Sequence, residues 1–376
     1  MVVFNMTKKQ FKQFLLMGRG ESYLLAKDNP NEYKDIILWA CTHKIFYDTY
    51  NDDYNASYLY QFIKLYDDQN EFYNRIVACY KKTKYGEKFN YLSWLLICFY
   101  RDEKKEAREL LMDNFLKIYY LIAKNKSNAN SLSSFDELAT ILAYDKKSYL
   151  GLEIIIDSLR KHDKNFSIDK YETITKRKYL KIKEDKIVSS KIVTKEEIID
   201  LFNKYQKEKK AIYLQKILYG NYKLDVSKII DVSEFIFDIN EVENDVLYYI
   251  FQLFYTIKNN KVKKWARQNI NDNNFQALLP IIIRNYKDED ENLILHYLRK
   301  YHYSFYNEDD NHLAIETICK QKKIAKSIIY YAYNHCYCSF CRINLFLLMK
   351  KRNILLEDMK KAHKYDALEE IKKINL

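Results

Sequence analysis

The sequence predicts an all-α protein in which antiparallel helix pairs stack as an irregular α-solenoid, with two compact multi-helix domains as the alternative arrangement. Three observations point there. The 376 residues include 5 Gly and 2 Pro, where average usage of about 7% and 5% would supply roughly 26 and 19. Apolar residues recur at helical spacing through most of the chain. The breaks between these stripes are short, polar and rich in capping residues, which suits antiparallel neighbours.

Taken in order, Thr7 is placed to cap a first helix carrying Phe11, Phe14 and Leu15, which ends before Gly18-Arg19-Gly20. Asn29-Pro30 opens the next, with Ile36, Ile37, Trp39 and Ala40 on its apolar face. Asp52 or Asp53 precedes a stripe of Tyr54, Tyr58, Phe62 and Leu65. The alternation continues through residues 72–80, 91–100, 107–122 and 138–159. Periodicity then weakens over about 162–194, where residues 176–195 hold eight Lys or Arg against two acids. Thr194-Lys-Glu-Glu197 reads as a capping box that restarts the helices. The predicted organisation is therefore an N-terminal helical domain (1–162), a basic linker or insertion (163–194) and a C-terminal helical-repeat domain (195–376).

The scarcity of glycine also excludes chemistry. Tight β-hairpins, G-x-G-x-x-G cradles and P-loops need glycine where the backbone turns sharply or approaches a phosphate, and none of those motifs occurs. No H-E-x-x-H, G-x-S-x-G or carboxylate pair appears either, so no active site is named and a non-enzymatic role is favoured. The seven cysteines are odd in number and unevenly spaced, unlike a secreted disulfide framework. The start MVVFNMTKKQ has no signal-peptide core, and no apolar run approaches the ~20 residues that span a bilayer. A cytoplasmic location without a membrane partner is expected.

Net charge is +12, with 52 Lys against 11 Arg. Clustered cations suit phosphate backbones, yet a lysine excess shared with Asn, Ile and Tyr is also what AT-rich codons produce. Arginine, the better fork for phosphate and base edges, is not enriched.

Repetition is faint. Lys105-Glu-Ala-Arg108, Lys264-Trp-Ala-Arg267 and Lys323-Ile-Ala-Lys326 each read as a helix opening after an apolar helix and a polar turn. In this the chain resembles the HEAT-type α-solenoids, whose second helices often begin with a basic residue, Ala and another basic residue. The resemblance implies units of about 40–47 residues, roughly eight or nine in this length.

Two local clusters are candidate sites. Lys258, Lys261, Lys263, Lys264 and Arg267 surround Trp265 with no acid among them, a cation-plus-aromatic pattern that grips single strands or flipped bases. The competing reading puts Trp265 in the core beside Val262 and Ala266, with the lysines on a solvated turn. His335, Cys336, Cys338 and Cys341 place three thiols and an imidazole within seven residues, a donor set suited to zinc. The competing and preferred reading is a helix-to-helix junction whose cysteines are small core residues. Acidic runs at 288–291 and 308–310 are expected to start helices, where negative charge complements the dipole. Cys41-Thr42-His43 is a weaker grouping, since residues two apart on a helix point away from each other.

Three functions follow as expectations. The first is a non-enzymatic helical-repeat scaffold that binds a macromolecular partner, most simply a protein, through a concave surface. The second is a nucleic-acid-binding protein resembling the HEAT-like alkylpurine DNA glycosylases, although that family's catalytic acid and its aromatic and Arg neighbours have no matched positions here. The third is a zinc-stabilised regulatory protein built on the C-terminal cysteines.

Overall fold

The computed structural model describes residues 6–43, 52–124, 126–143, 194–219, 226–231, 234, 244–300 and 308–376. Among them are 19 α-helices and no strands. No described helix is long and apolar enough to cross a membrane.

Local chemistry starts the helices. Thr7 caps α1 (Lys8–Leu16): the Gln10 amide donates to Thr7 Oγ1 at 3.3 Å, and Gln10 Oε1 accepts the Thr7 amide at 2.9 Å. Two otherwise orphaned N–H groups are thus satisfied reciprocally. Gly18 follows at φ 69°, the left-handed region that glycine enters without steric cost. Then come α2 (Gly20–Asp28) and α3 (Pro30–Thr42), the latter with Pro30 at its first position, where the missing N–H is not needed. α4 (Asp52–Ile63), α5 (Asn70–Lys82), α6 (Glu87–Arg101), α7 (Lys105–Ala123) and α8 (Ala129–Ala143) complete the first run. The predicted helical stretch beyond residue 143, and the basic segment 163–194 up to residue 193, lie outside the described residues. Thr194 closes the second capping box, on α9 (Lys195–Glu208), at 2.8 and 3.2 Å. There follow α10 (Ala211–Tyr219), α11 (Asn244–Thr256), α12 (Asn260–Asn269), α13 (Phe275–Arg284), α14 (Glu291–Lys300), α15 (Glu308–Lys320), α16 (Lys326–His335) and α17 (Ser339–Lys351). α18 (Glu357–Ala362), a 3-10 turn at His363–Tyr365 and α19 (Glu369–Lys372) end the chain.

Contacts group the chain into two compact units, Met1–Glu184 with Leu355–Leu376, and Asp185–Ile354. The sequence-based division kept 355–376 with the helices from 195 onward; in the structure this tail joins the N-terminal unit. A Cβ on Gly20 would lie 1.9 Å from the Ala362 carbonyl oxygen, so only glycine admits α18 at that distance. The Ala367 amide donates to the Gly18 carbonyl at 2.8 Å, and Tyr365 stacks on Tyr23 with centroids 4.7 Å apart. Met359, Ala362, Leu368 and Ile371 are buried, and removal of such apolar area from water is what drives docking.

Within the first unit α2, α4, α6 and α8 form one row and α1, α3 and α5 another, and within α1–α4 and α5–α8 each helix also packs on its successor. α6 is central. Its residues Phe89 to Phe99 are all buried, as expected for a helix apolar on every side. The corner between α1 and α2 is held by Arg19, which is buried, paired with Glu21 and set 3.7 Å over the Phe14 ring. Tyr58 donates to the Arg19 carbonyl at 2.9 Å and ties α4 to the same corner.

The second unit repeats this logic. α11, α13, α15 and α17 pack in sequence as one row, and α14 packs on α16 in the other. α12 and α14 both pack on α13, and α16 packs on α17. α13 is the apolar centre, with Leu278 through Ile283 buried. The row helices begin at Asn244, Phe275, Glu308 and Ser339, so successive starts are 31, 33 and 31 residues apart. This period is shorter than the 40–47 residues implied by the HEAT resemblance. The three motifs that carried the resemblance also sit in different registers: Lys105 opens α7, Lys264 lies inside α12, and Lys323 precedes α16. They do not mark equivalent positions.

Candidate functional site

The basic stretch around Trp265 is divided by the fold. α12 has Asn259 as its N-cap, whose Oδ1 accepts the Lys261 and Val262 amides at 2.8 and 3.3 Å. From that start, helical geometry turns Val262, Lys263, Trp265 and Ala266 inward and leaves Lys261, Lys264 and Arg267 outward. Trp265 is a core residue, edge-on to Phe254 with centroids 5.5 Å apart. Lys263 is buried too. Its Nζ lies 2.6 Å from Asp290 Oδ2, and Arg267 reaches Asp290 Oδ1 and Glu289 Oε1, both at 3.1 Å. The expected six-residue surface is thereby corrected: Lys263 and Trp265 face the interior, and Lys263 and Arg267 are neutralised by acids from the 288–291 run. That run does start α14, through the 3-10 turn Asp288–Asp290. Its buried member Asp290 also accepts the Lys287 amide at 2.8 Å.

A different arrangement emerges at the C-terminal ends of the α11, α13, α15 and α17 row. The Asn259 amide donates to Asn285 Oδ1 at 2.8 Å, Gln321 Nε2 donates to the Arg284 carbonyl at 3.1 Å, and Arg352 donates to the Ile324 carbonyl at 2.6 Å. Each bond ties one connecting loop to the next, so four successive loops form a stitched edge. Exposed Lys258, Lys287, Lys322, Lys323, Lys350 and Lys351 stand on it, cations placed where helix C-termini favour them. Between the first two loops lies a pocket of about 290 Å³ lined by Lys258, Asn259, Asn260, Arg284, Asn285, Tyr286 and Lys287. Periodicity marks helix faces and gives no sign of which loops abut, so Arg284 and Lys287 had no sequence signal linking them to Lys258.

A second concavity of about 350 Å³ lies between α10 and α11, lined by Ala211, Ile212, Gln215, Tyr248 and Tyr249. Ile212 and Tyr248 are exposed there.

The cysteine cluster sits at a junction between two helices. α16 ends at His335, and Cys338 is the N-cap of α17, its Sγ accepting the Cys341 amide at 3.4 Å. Cys336 and Cys341 are buried, and the Cys341 thiol lies against those of both Cys336 and Cys338. Contact with Cys341 and burial push the Cys338 thiol far up, and contact with Cys336 and burial do the same for Cys341. His335 is held on its own helix, stacked on Tyr331 at 4.0 Å with Nδ1 donating to the Tyr331 carbonyl at 2.8 Å. Among the described residues no group of three or more His, Cys, Asp or Glu is arranged to hold a metal ion. At the end of α3, Cys41 is buried while His43 stacks on Trp39 with centroids 4.4 Å apart.

Comparison with family models, with characterised proteins and with solved structures finds no match to this chain.

Proposed function

We propose that this protein is a helical-repeat scaffold that binds a macromolecular partner along the loop edge of its second unit. The observation that carries the reading is the stitched edge itself. Side-chain hydrogen bonds hold four successive loops in register, and in stacked helical hairpins the loops on one face are commonly the binding face. Preformed loops lose little conformational entropy on binding. The exposed lysines give that edge a positive field, which suits a partner with an acidic surface. A protein fits better than a nucleic acid, because Trp265 is packed in the core and Lys263 and Arg267 already answer acids.

A photo-crosslinking residue placed at Lys322 tests this in a lysate of the source cells. The expected result is a discrete protein adduct that survives nuclease and is lost on Lys287→Glu with Lys323→Glu. An adduct that disappears with nuclease favours the nucleic-acid reading. Equal capture from a probe at Lys81, in the first unit, rejects the edge as the binding face.

A further inference from the structure

We infer that the pocket between the first two loops of this edge is a binding site for a phosphate-sized dianion, either free phosphate or the phosphate group of a larger ligand. Three cationic side chains, Lys258, Arg284 and Lys287, line it, and no acid does. The nearby acids are otherwise engaged. Asp290 and Glu289 pair with Lys263 and Arg267, and Asp288 lies against the Tyr286 hydroxyl. Lys258 and Lys287 form no ion pair with a described acid, so their charge is available to a ligand. Asn260, the first residue of α12, also lines the pocket, and the positive end of a ten-residue helix adds to the cationic field.

The walls are built rather than incidental. Asn285 bridges the two loops, accepting the Asn259 amide on Oδ1 and donating through Nδ2 to the Ile281 carbonyl at 2.9 Å. Asp290 anchors the Lys287 backbone from beneath, and Gln321 holds the Arg284 carbonyl from the neighbouring loop. At about 290 Å³ the space is at the small end of ligand pockets. It admits a phosphate group together with part of whatever carries it. The two lysines can meet a tetrahedral anion as point charges, and the guanidinium of Arg284 adds a fork that matches two phosphate oxygens.

The site does not depend on the scaffold reading, since a free anion needs no macromolecular partner. The test is a 31P NMR titration of the purified protein with inorganic phosphate and, separately, with O-phosphoserine, at constant ionic strength and pH 8. Saturable line broadening with a Kd of order 1 mM is expected for at least one of the two. Broadening by phosphoserine alone marks the carried group as the ligand; broadening by both marks phosphate itself. The pair Lys258→Ala and Lys287→Ala should weaken binding at least tenfold, Lys258→Arg should retain it, and Lys264→Ala, on the outward face of α12, should leave it unchanged. Circular dichroism checks that the variants stay folded, as exposed lysines allow. The inference is overturned by the absence of saturable broadening up to about 20 mM, a level far above the expected Kd. It is overturned equally if the double variant binds as the parent does.

Discussion

Lys263 Nζ lies 2.6 Å from Asp290 Oδ2, with both side chains buried. One residue belongs to a basic run and the other to an acidic run, and the fold makes the two runs a single network with Arg267 and Glu289. Breaking a buried pair by removing one partner leaves an uncompensated charge, at a cost of about 3–5 kcal/mol. Arg267 remains beside Asp290, which places Lys263→Ala near the lower end. Lys264→Ala, one residue away and exposed, should stay within about 0.5 kcal/mol of the parent. Urea unfolding of the two variants measures the contrast; equal midpoints would refute it.

Gly20 sets the seating of the C-terminal tail on α2. Gly20→Ala places a methyl group 1.9 Å from the Ala362 carbonyl oxygen, so α18 must move away and uncover Met359, Leu368 and Ile371. The expected loss is several kcal/mol, since each fully buried large apolar side chain contributes about 1.5–3 kcal/mol. Limited proteolysis should cut the variant within 355–376 while the parent resists. A variant as resistant as the parent shows the contact to be dispensable.

Alkaline pH should destabilise the protein. Burial pushes the Cys98 thiol up to about 11, the Cys319 thiol to about 12 and the Tyr66 hydroxyl to about 12. In the unfolded chain these groups titrate near 8.5 for Cys and 10 for Tyr. Between the two sets of values the folded state holds protons that the unfolded state has released. Stability is therefore complete below about pH 8.5 and declines as pH rises through 11 and 12. Guanidinium midpoints at pH 7 and pH 10.5 test the sign, and a higher midpoint at pH 10.5 contradicts it.

Thiol reactivity follows from the same burial. The thiolate is the nucleophile, and Cys98, Cys319, Cys338 and Cys341 are all held above the ordinary thiol range. A disulfide reagent at pH 8 should leave these four unmodified in the native protein and modify them promptly in guanidinium. Mass mapping that finds Cys338 or Cys341 modified first in the native state would overturn this.

The cysteine junction should carry less than one equivalent of zinc. Cys338 spends its sulfur capping α17, and His335 is stacked on its own helix. Elemental analysis of the purified protein tests this directly, and a stoichiometric metal that a chelator removes with loss of helix would reverse it. On the packing account, Cys341→Ala costs of order 1 kcal/mol, as for a small cavity.

The cap at Thr7, the capping box at Thr194, the Asn29-Pro30 start and the buried face of α12 beneath Trp265 were legible in the sequence because each depends on residues within four positions of one another. The same locality explains the all-α class: scarce glycine and recurrent apolar stripes act turn by turn, wherever the helices later pack. The candidate site was legible in part. Lys258 stood out as one of a basic run, but its partners across the pocket, Arg284 and Lys287, come from the next loop of the row. The repeat motifs misled, since a basic residue, Ala and a basic residue fit the first turn of α7 and the interior of α12 equally well.

The sequence by itself determined the helical class, the helix starts that carry a local cap, such as those after Thr7 and Thr194, and the apolar faces of most helices. Only the tertiary structure decided that Lys263 meets Asp290, that Ala362 presses on Gly20 and that the loops after α11, α13, α15 and α17 share one edge. The physical reason is range: hydrogen-bonded caps and helical periodicity are satisfied within one or two turns. The ion pair, the glycine contact and the stitched loops exist only once distant helices have packed side by side and brought their ends together.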